Sequence, residues 1–161
     1  SSYVDPWYVP VADTLEGMLE AFRTGMLIGN VETSFICFNF YLEHYYLSGL
    51  SLKAMITDAK AHMELVKDYG VGSTLAILCC IRQAVLNIAG QNNCDSNNKN
   101  KADTVKTVVD PMVLTGEAMN AEDFIESHSG NVMGCFYYYR WHVEVCLFFG
   151  DFKKADEMLS E

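Results

Sequence analysis

The stretch GNVETSFICFNFYLEHYYLSGL, residues 29–50, decides the fold of this chain. It runs from one glycine to the next without a proline, and the segment between them is apolar nearly all round. Glycine is the usual residue just past a helix end, because it adopts the left-handed conformation without steric cost. A helix that is apolar all round is buried on more than one side. The stretch therefore predicts a buried helix over residues 31–48.

The spacing of that stretch recurs along the chain. Glycines fall at positions 29, 49, 70, 90, 130 and 150, so neighbours are 20, 21, 20, 40 and 20 residues apart. About 20 residues make one helix with one turn, and two such units make a hairpin. Further helices are predicted at 13–28 (capped by Asp13), 51–69, 73–89, 121–128 (capped by Asn120), 131–149 and 151–160, with short ones at 103–109 and 112–118 around Pro111.

Helix character also alternates. The segment 51–69 has one apolar stripe and one charged face, unlike the apolar helices before and after it. This alternation is typical of stacked hairpins. We therefore predict an all-α fold of stacked antiparallel helix hairpins, an α-solenoid, forming a single domain over 1–161. The Asn-rich segment QNNCDSNNKNK, residues 91–101, lacks any period and is predicted to be a loop insertion.

Composition limits the partners. Half of the 161 residues are hydrophobic and a fifth are charged, which allows a real core and excludes global disorder. The net charge of −10 argues against binding to nucleic acid. The apolar run 75–90 is interrupted by Arg82, Gln83 and Asn87 and is too short to span a bilayer. We expect a soluble protein that binds neither nucleic acid nor membrane.

The cysteines and the first residues suggest the cellular context. Six cysteines lie without the spacing of a disulfide framework, five of them in apolar helical stretches, which predicts reduced thiols and a cytoplasmic location. Residues 1–7 contain neither an initiator Met nor a signal-peptide pattern, so we expect the chain to be a fragment of a larger protein.

The segment FYYYRWHVE, residues 136–144, is the richest candidate site. Dense aromatic residues on one helix can line a groove for a peptide or a flat ligand. Aromatic density also accompanies burial, so the same residues can form the core of the stack. Both interpretations stay open, and the binding candidates are Tyr137, Tyr138, Arg140, Trp141, His142 and Glu144.

Catalytic and metal-binding patterns are missing. His142 and Cys146 lie one helical turn apart, but no Pro-Cys-x-x-Cys segment completes a zinc site. Gly70 and Gly72 precede a helix without the lysine of a P-loop. We predict no catalytic residue, no metal and no cofactor. Polar residues within the apolar helices are predicted to form hydrogen bonds between helices; they are Asn39, Glu43, Arg82, Gln83 and Asn87.

Two resemblances to known families carry the functional expectation. Residues 147–155, LFFGDFKKA, resemble the middle of a tetratricopeptide repeat, which implies a tetratricopeptide-like form of the solenoid. The segments GNVE (29–32), NFY (39–41), YLSGLSL (46–52) and RQAVLNIAG (82–90) are similar to the helical-repeat region of large multidomain signalling proteins built around a STAND/AAA-type predicted ATPase, with Ser/Thr kinase, histidine kinase or cyclase fusions.

That resemblance implies a regulatory role without catalysis in this segment, while the parent chain would be an ATPase or a kinase. The implied partner is a protein or peptide segment, or neighbouring domains of the same chain. The alternative function is a helical sensor that binds a small molecule in a pocket lined by the aromatic residues of 136–144.

Overall fold

The computed structural model describes residues 9–91 and 110–160. This part of the chain is all-helical and contains no strand, which confirms the predicted fold class at that level. A 3-10 turn over Val11–Thr14 precedes the first α-helix. The seven α-helices of the described residues are α1 (Leu15–Leu27), α2 (Val31–Leu47), α3 (Leu52–Tyr69), α4 (Gly72–Ile88), α5 (Ala121–His128), α6 (Val132–Phe149) and α7 (Phe152–Leu159). The helix predicted at 103–109, and all but the first residue of the predicted loop 91–101, lie outside the described residues.

Glycine ends the helices as the spacing predicts. Five of the six glycines have positive φ, between 67° and 80°: Gly29, Gly49, Gly70, Gly90 and Gly150. At four of them the residue after glycine donates its N–H to the carbonyl five residues earlier, the geometry that closes a helix C-terminus (Asn30 to Gly25, Val71 to Val66, Gln91 to Leu86, Asp151 to Cys146). Gly130 is the exception: its φ is not in the positive range.

Side-chain caps begin the last three helices. Asn120 accepts hydrogen bonds from the N–H groups of Glu122 and Asp123, as predicted for α5. Asn131 caps α6 and Asp151 caps α7 in the same manner. The predicted cap Asp13 is wrong: it lies inside the 3-10 turn, and α1 begins at Leu15.

The helix predicted at 112–118 is also wrong. Residues 110–120 form turns and bends instead. Pro111 has no N–H to donate, and Gly116 disfavours a helix. Three backbone groups of this segment are bound by side chains of α4, as described below.

The chain divides into two compact units, Ser1–Leu78 and Cys79–Glu161. In the first unit α1 packs along α2, α2 contacts α3, and the 3-10 turn packs on both α1 and α2. Phe35 and Phe38 lie in its core, and the rings of half-buried Phe22 and His62 and of exposed Tyr69 pack around them.

In the second unit α6 packs along α7 and contacts α5. Its core is built on Trp141, Val145, Leu114 and Phe124. Among the described residues, no helix has both the length and the apolar content needed to cross a membrane.

Candidate functional site

The six predicted binding residues lie on two different sides of α6. Tyr137, Tyr138, Trp141 and His142 belong to its buried face, and Trp141 has an exposed fraction of 0%. Arg140 and Glu144 are half-buried. The Arg140 guanidinium carbon lies 5.0 Å from the centroid of the Trp141 ring, so Arg140 covers the edge of this core. The assignment of these six residues to a binding site stays a prediction.

His142 is a buried imidazole whose two ring nitrogens make no hydrogen bond to any described residue. Tyr138 approaches the ring edge-on, with 5.6 Å between centroids. Burial lowers the pKa of His142, and the positive charge of Lys154 lowers it further. The backbone of Met112 acts in the opposite direction but does not reach hydrogen-bonding geometry. The ring is therefore neutral at physiological pH.

An ion pair borders His142. Nζ of Lys154, on α7, lies 3.6 Å from a carboxylate oxygen of Asp110, and the Lys154 side chain is mostly buried. Burial raises the pKa of Cys146, one turn after His142, although Lys154 lowers it. The cluster thus contains a neutral imidazole and a protonated thiol. Within the described ranges, no three His, Cys, Asp or Glu side chains come together in a way that could hold a metal ion.

The buried polar residues of α4 bind a loop of the same unit. Asn87 donates from Nδ2 to the carbonyls of Pro111 (2.8 Å) and Val113 (2.7 Å). Gln83 accepts a hydrogen bond from the Ala118 N–H (2.9 Å) and donates to Asn87 (2.7 Å). These side chains therefore satisfy three backbone groups of residues 110–118, which we call the α4-bound loop.

The predicted role of these residues is therefore corrected. Hydrogen bonds between helices were expected for Gln83 and Asn87. Both side chains instead bond to backbone groups that lie outside any helix, so they join α4 to a loop. Buried Arg82 likewise pairs with Glu117 of the loop at 3.0 Å. In the first unit, Asn39 is buried and its Oδ1 accepts no hydrogen bond from the described residues.

Sequence reasoning missed a second face of α6. Opposite the buried face, residues at intervals of three and four remain at the surface and are all apolar or aromatic: Val132, Phe136, Tyr139, Val143 and Leu147. We call this set the α6 stripe. The sequence contains the signal for this stripe, since α6 is apolar on two sides and a helix cannot bury both sides against one neighbour.

No protein-family model, no curated protein and no solved structure matches this chain.

Proposed function

We propose that this chain is a non-catalytic protein-interaction module, built of stacked tetratricopeptide-like hairpins, that regulates a larger intracellular signalling ATPase or kinase. The α6 stripe is the observation that carries this proposal. Phe136 and Leu147 have exposed fractions of 56% and 45%, on a helix whose other side forms a core. Contiguous apolar surface of this kind marks contact sites for other proteins.

A repeated hairpin geometry supports the solenoid. In α1–α2, Asn30 bonds back to the Gly25 carbonyl, and four residues later Ser34 is buried and bonds to the Asn30 carbonyl. In α6–α7, Asp151 bonds to Cys146, and buried Ala155 bonds to Asp151 at the same spacing. Small buried residues at equivalent positions let two helices approach closely. The same local design in both units is what a repeat architecture requires.

The perturbed titratable groups also favour a non-catalytic role. Burial is the main cause of the lowered pKa of His62 and of the raised pKa of Cys80, and no Asp, Glu, Lys or Arg side chain contributes to either shift. Catalytic groups combine burial with a specific charge partner in a cleft. The link to a signalling ATPase or kinase rests on the resemblance of residues 29–52 and 82–90.

The test is photo-cross-linking in cells of the source organism, with a photoreactive amino acid in place of Phe136. We expect cross-links to a protein or to neighbouring domains of the parent chain. In parallel, thermal unfolding of the purified chain should be unchanged by MgATP and by a chelator. A strong increase of the melting temperature with MgATP would contradict the proposal, because a ligand stabilises the state that binds it.

A second candidate function is a small-molecule sensor in the second unit. It is favoured by the two ring nitrogens of His142, since buried polar groups normally have a partner. Native mass spectrometry distinguishes the two functions. A metabolite that copurifies with the chain and is lost from the variant His142→Phe would support the sensor.

A further inference from the structure

We propose that Arg82 is the binding residue of a site for small carboxylate anions, and that the side chain of Glu117 occupies this site in the free protein. The inference goes beyond the two functions proposed above, because neither of them uses Arg82 or Glu117. It rests on the burial of one guanidinium group, on one of its donors that has no acceptor, and on the carboxylate that covers it.

Arg82 is a buried cation of α4. Its side chain has an exposed fraction of 4%, and a guanidinium group stays charged at every physiological pH. A buried charge is costly unless an opposite charge and hydrogen bonds compensate for it. Nη2 of Arg82 lies 3.0 Å from Oε1 of Glu117, so this carboxylate supplies the opposite charge. Nε of Arg82 is also buried, but it donates no hydrogen bond to any described residue.

Nε and Nη2 form one edge of the guanidinium group. Their N–H bonds point side by side, and this edge matches the two oxygens of a carboxylate, which accepts both bonds at once. In the structure Nη2 is paired and Nε is not, so the ion pair with Glu117 uses half of the edge. A carboxylate that is free to orient itself uses both donors. A ligand therefore gains a hydrogen bond that Glu117 does not make, and that bond satisfies a buried donor.

Glu117 can leave the ion pair by rotation of its side chain alone. That side chain has an exposed fraction of 46%, so about half of it already faces solvent. The backbone on both sides of it is held by other contacts: Gly116 donates its N–H to the Met119 carbonyl (2.8 Å), and Ala118 donates its N–H to Oε1 of Gln83 (2.9 Å). The α4-bound loop therefore keeps these hydrogen bonds when a ligand replaces the Glu117 carboxylate.

The geometry selects a small monocarboxylate. The ligand takes the place of the last CH₂ group and the carboxylate of Glu117, and acetate has the same heavy atoms. A phosphate has further oxygens that need donors of their own, whereas Nε and Nη2 provide one donor for each oxygen of a carboxylate. A C-terminal carboxylate carries a peptide backbone behind it, and Arg82, with an exposed fraction of 4%, lies too deep for that backbone to follow.

The test uses the whole chain with acetate as the probe. The chain contains three arginines, Arg23, Arg82 and Arg140, so its NMR spectrum has three Nε–Hε signals, and Arg82→Lys identifies the signal of Arg82. We expect sodium acetate to shift this signal saturably, while sodium chloride and sodium phosphate at the same ionic strength do not. N-acetylglycylglycine, which carries the same carboxylate on a peptide, should bind at least about tenfold more weakly than acetate.

Matched variants test the role of Glu117. Glu117→Ala removes the internal competitor, so acetate should bind to this variant at least about tenfold more tightly than to the wild type and should raise its unfolding midpoint. The control Glu157→Ala breaks the exposed ion pair with Lys153, and acetate should stabilise it no more than the wild type. Glu117→Gln keeps the shape of the side chain without its charge and provides the same comparison if Glu117→Ala does not fold.

Three results would overturn the inference. They are an Arg82 signal that acetate does not shift in the variants of Glu117, equal stabilisation of Glu117→Ala and Glu157→Ala by acetate, and binding of phosphate or of the peptide carboxylate as tight as that of acetate. The proposed function fails separately, because cross-linking through position 136 and the effect of MgATP test it without reference to Arg82.

Discussion

Asn87 donates a hydrogen bond of 2.7 Å from its Nδ2 to the carbonyl oxygen of Val113, 26 residues further along the chain. The same Nδ2 also donates to the carbonyl of Pro111, and Oδ1 of Asn87 accepts a hydrogen bond from Gln83. One fully buried side chain thus satisfies two loop carbonyls and one neighbouring amide. Because an unpaired buried polar group is expensive, the structure of the α4-bound loop depends on residue 87.

Substitution Asn87→Ala should destabilise the chain by about 2–4 kcal/mol, since two carbonyls and the Gln83 amide lose their partner in a dry environment. Urea unfolding measures this loss, and limited proteolysis should cut first within 110–118. Thr57→Ala is the control, because its hydroxyl bonds to the Lys53 carbonyl at the surface. The interpretation is wrong if the two variants lose similar stability.

Gly116→Ala tests the contact between the loop and Gln83. A Cβ at position 116 would lie 2.5 Å from Gln83 Nε2, so the amide must move and its hydrogen bonds must weaken. We expect a loss of about 1–3 kcal/mol. In a double-mutant cycle with Gln83→Ala, the sum of the stability losses of the two single variants should exceed the stability loss of the double variant. Simple additivity would mean that the residues are not coupled.

Gly150→Ala should destabilise the chain by about 1 kcal/mol, because φ is +80° at this residue and alanine is strained there. Gly17→Ala is the opposite case: Gly17 lies exposed inside α1, and a Cβ added there would meet no atom within 4 Å. That variant should be more stable by roughly 0.5–1 kcal/mol, from helix propensity. Thermal unfolding should show a lower midpoint for Gly150→Ala and a higher midpoint for Gly17→Ala. Midpoint shifts in the same direction would contradict the explanation from backbone conformation.

Stability should fall in acid because of His62. Its ring lies face to face with Phe38, with centroids 3.2 Å apart, and burial lowers its pKa to about 4 although the Asp58 backbone acts against the shift. Between pH 6.5 and about 4 the unfolded chain binds a proton at this residue and the folded chain does not. The contribution of His62 to the free energy of unfolding is therefore fully present above pH 6.5 and is lost as the pH falls towards about 4.

The variant His62→Phe keeps a flat ring against Phe38 and should reduce the slope of unfolding free energy against pH in this window. The change should stay below about 1.4 kcal/mol per pH unit, since the ring is partly exposed and solvent screens its charge. His44 and His142 retain a slope of the same sign, because burial lowers the pKa of both. An unchanged slope in the variant would show that His62 does not contribute.

The sequence by itself determined several helix ends and the beginning of α5. Gly29, Gly70 and Gly150 adopt positive φ and Asn120 caps α5, because these effects depend on conformational preferences within one turn. All-α architecture follows from the same local signals together with the apolar period. Prediction failed at 112–118, where hydrogen bonds to Gln83 and Asn87, distant in sequence, replace those of a helix.

Only the tertiary structure decided which side of α6 is buried. Both sides are apolar, so helical periodicity cannot choose between the side of Trp141 and the side of Phe136. The packing of α6 against α5 and α7 makes the choice, because the free energy of burial depends on neighbours brought together from elsewhere in the chain. That packing placed Trp141 in the core and left Phe136 at the surface, where a partner can reach it.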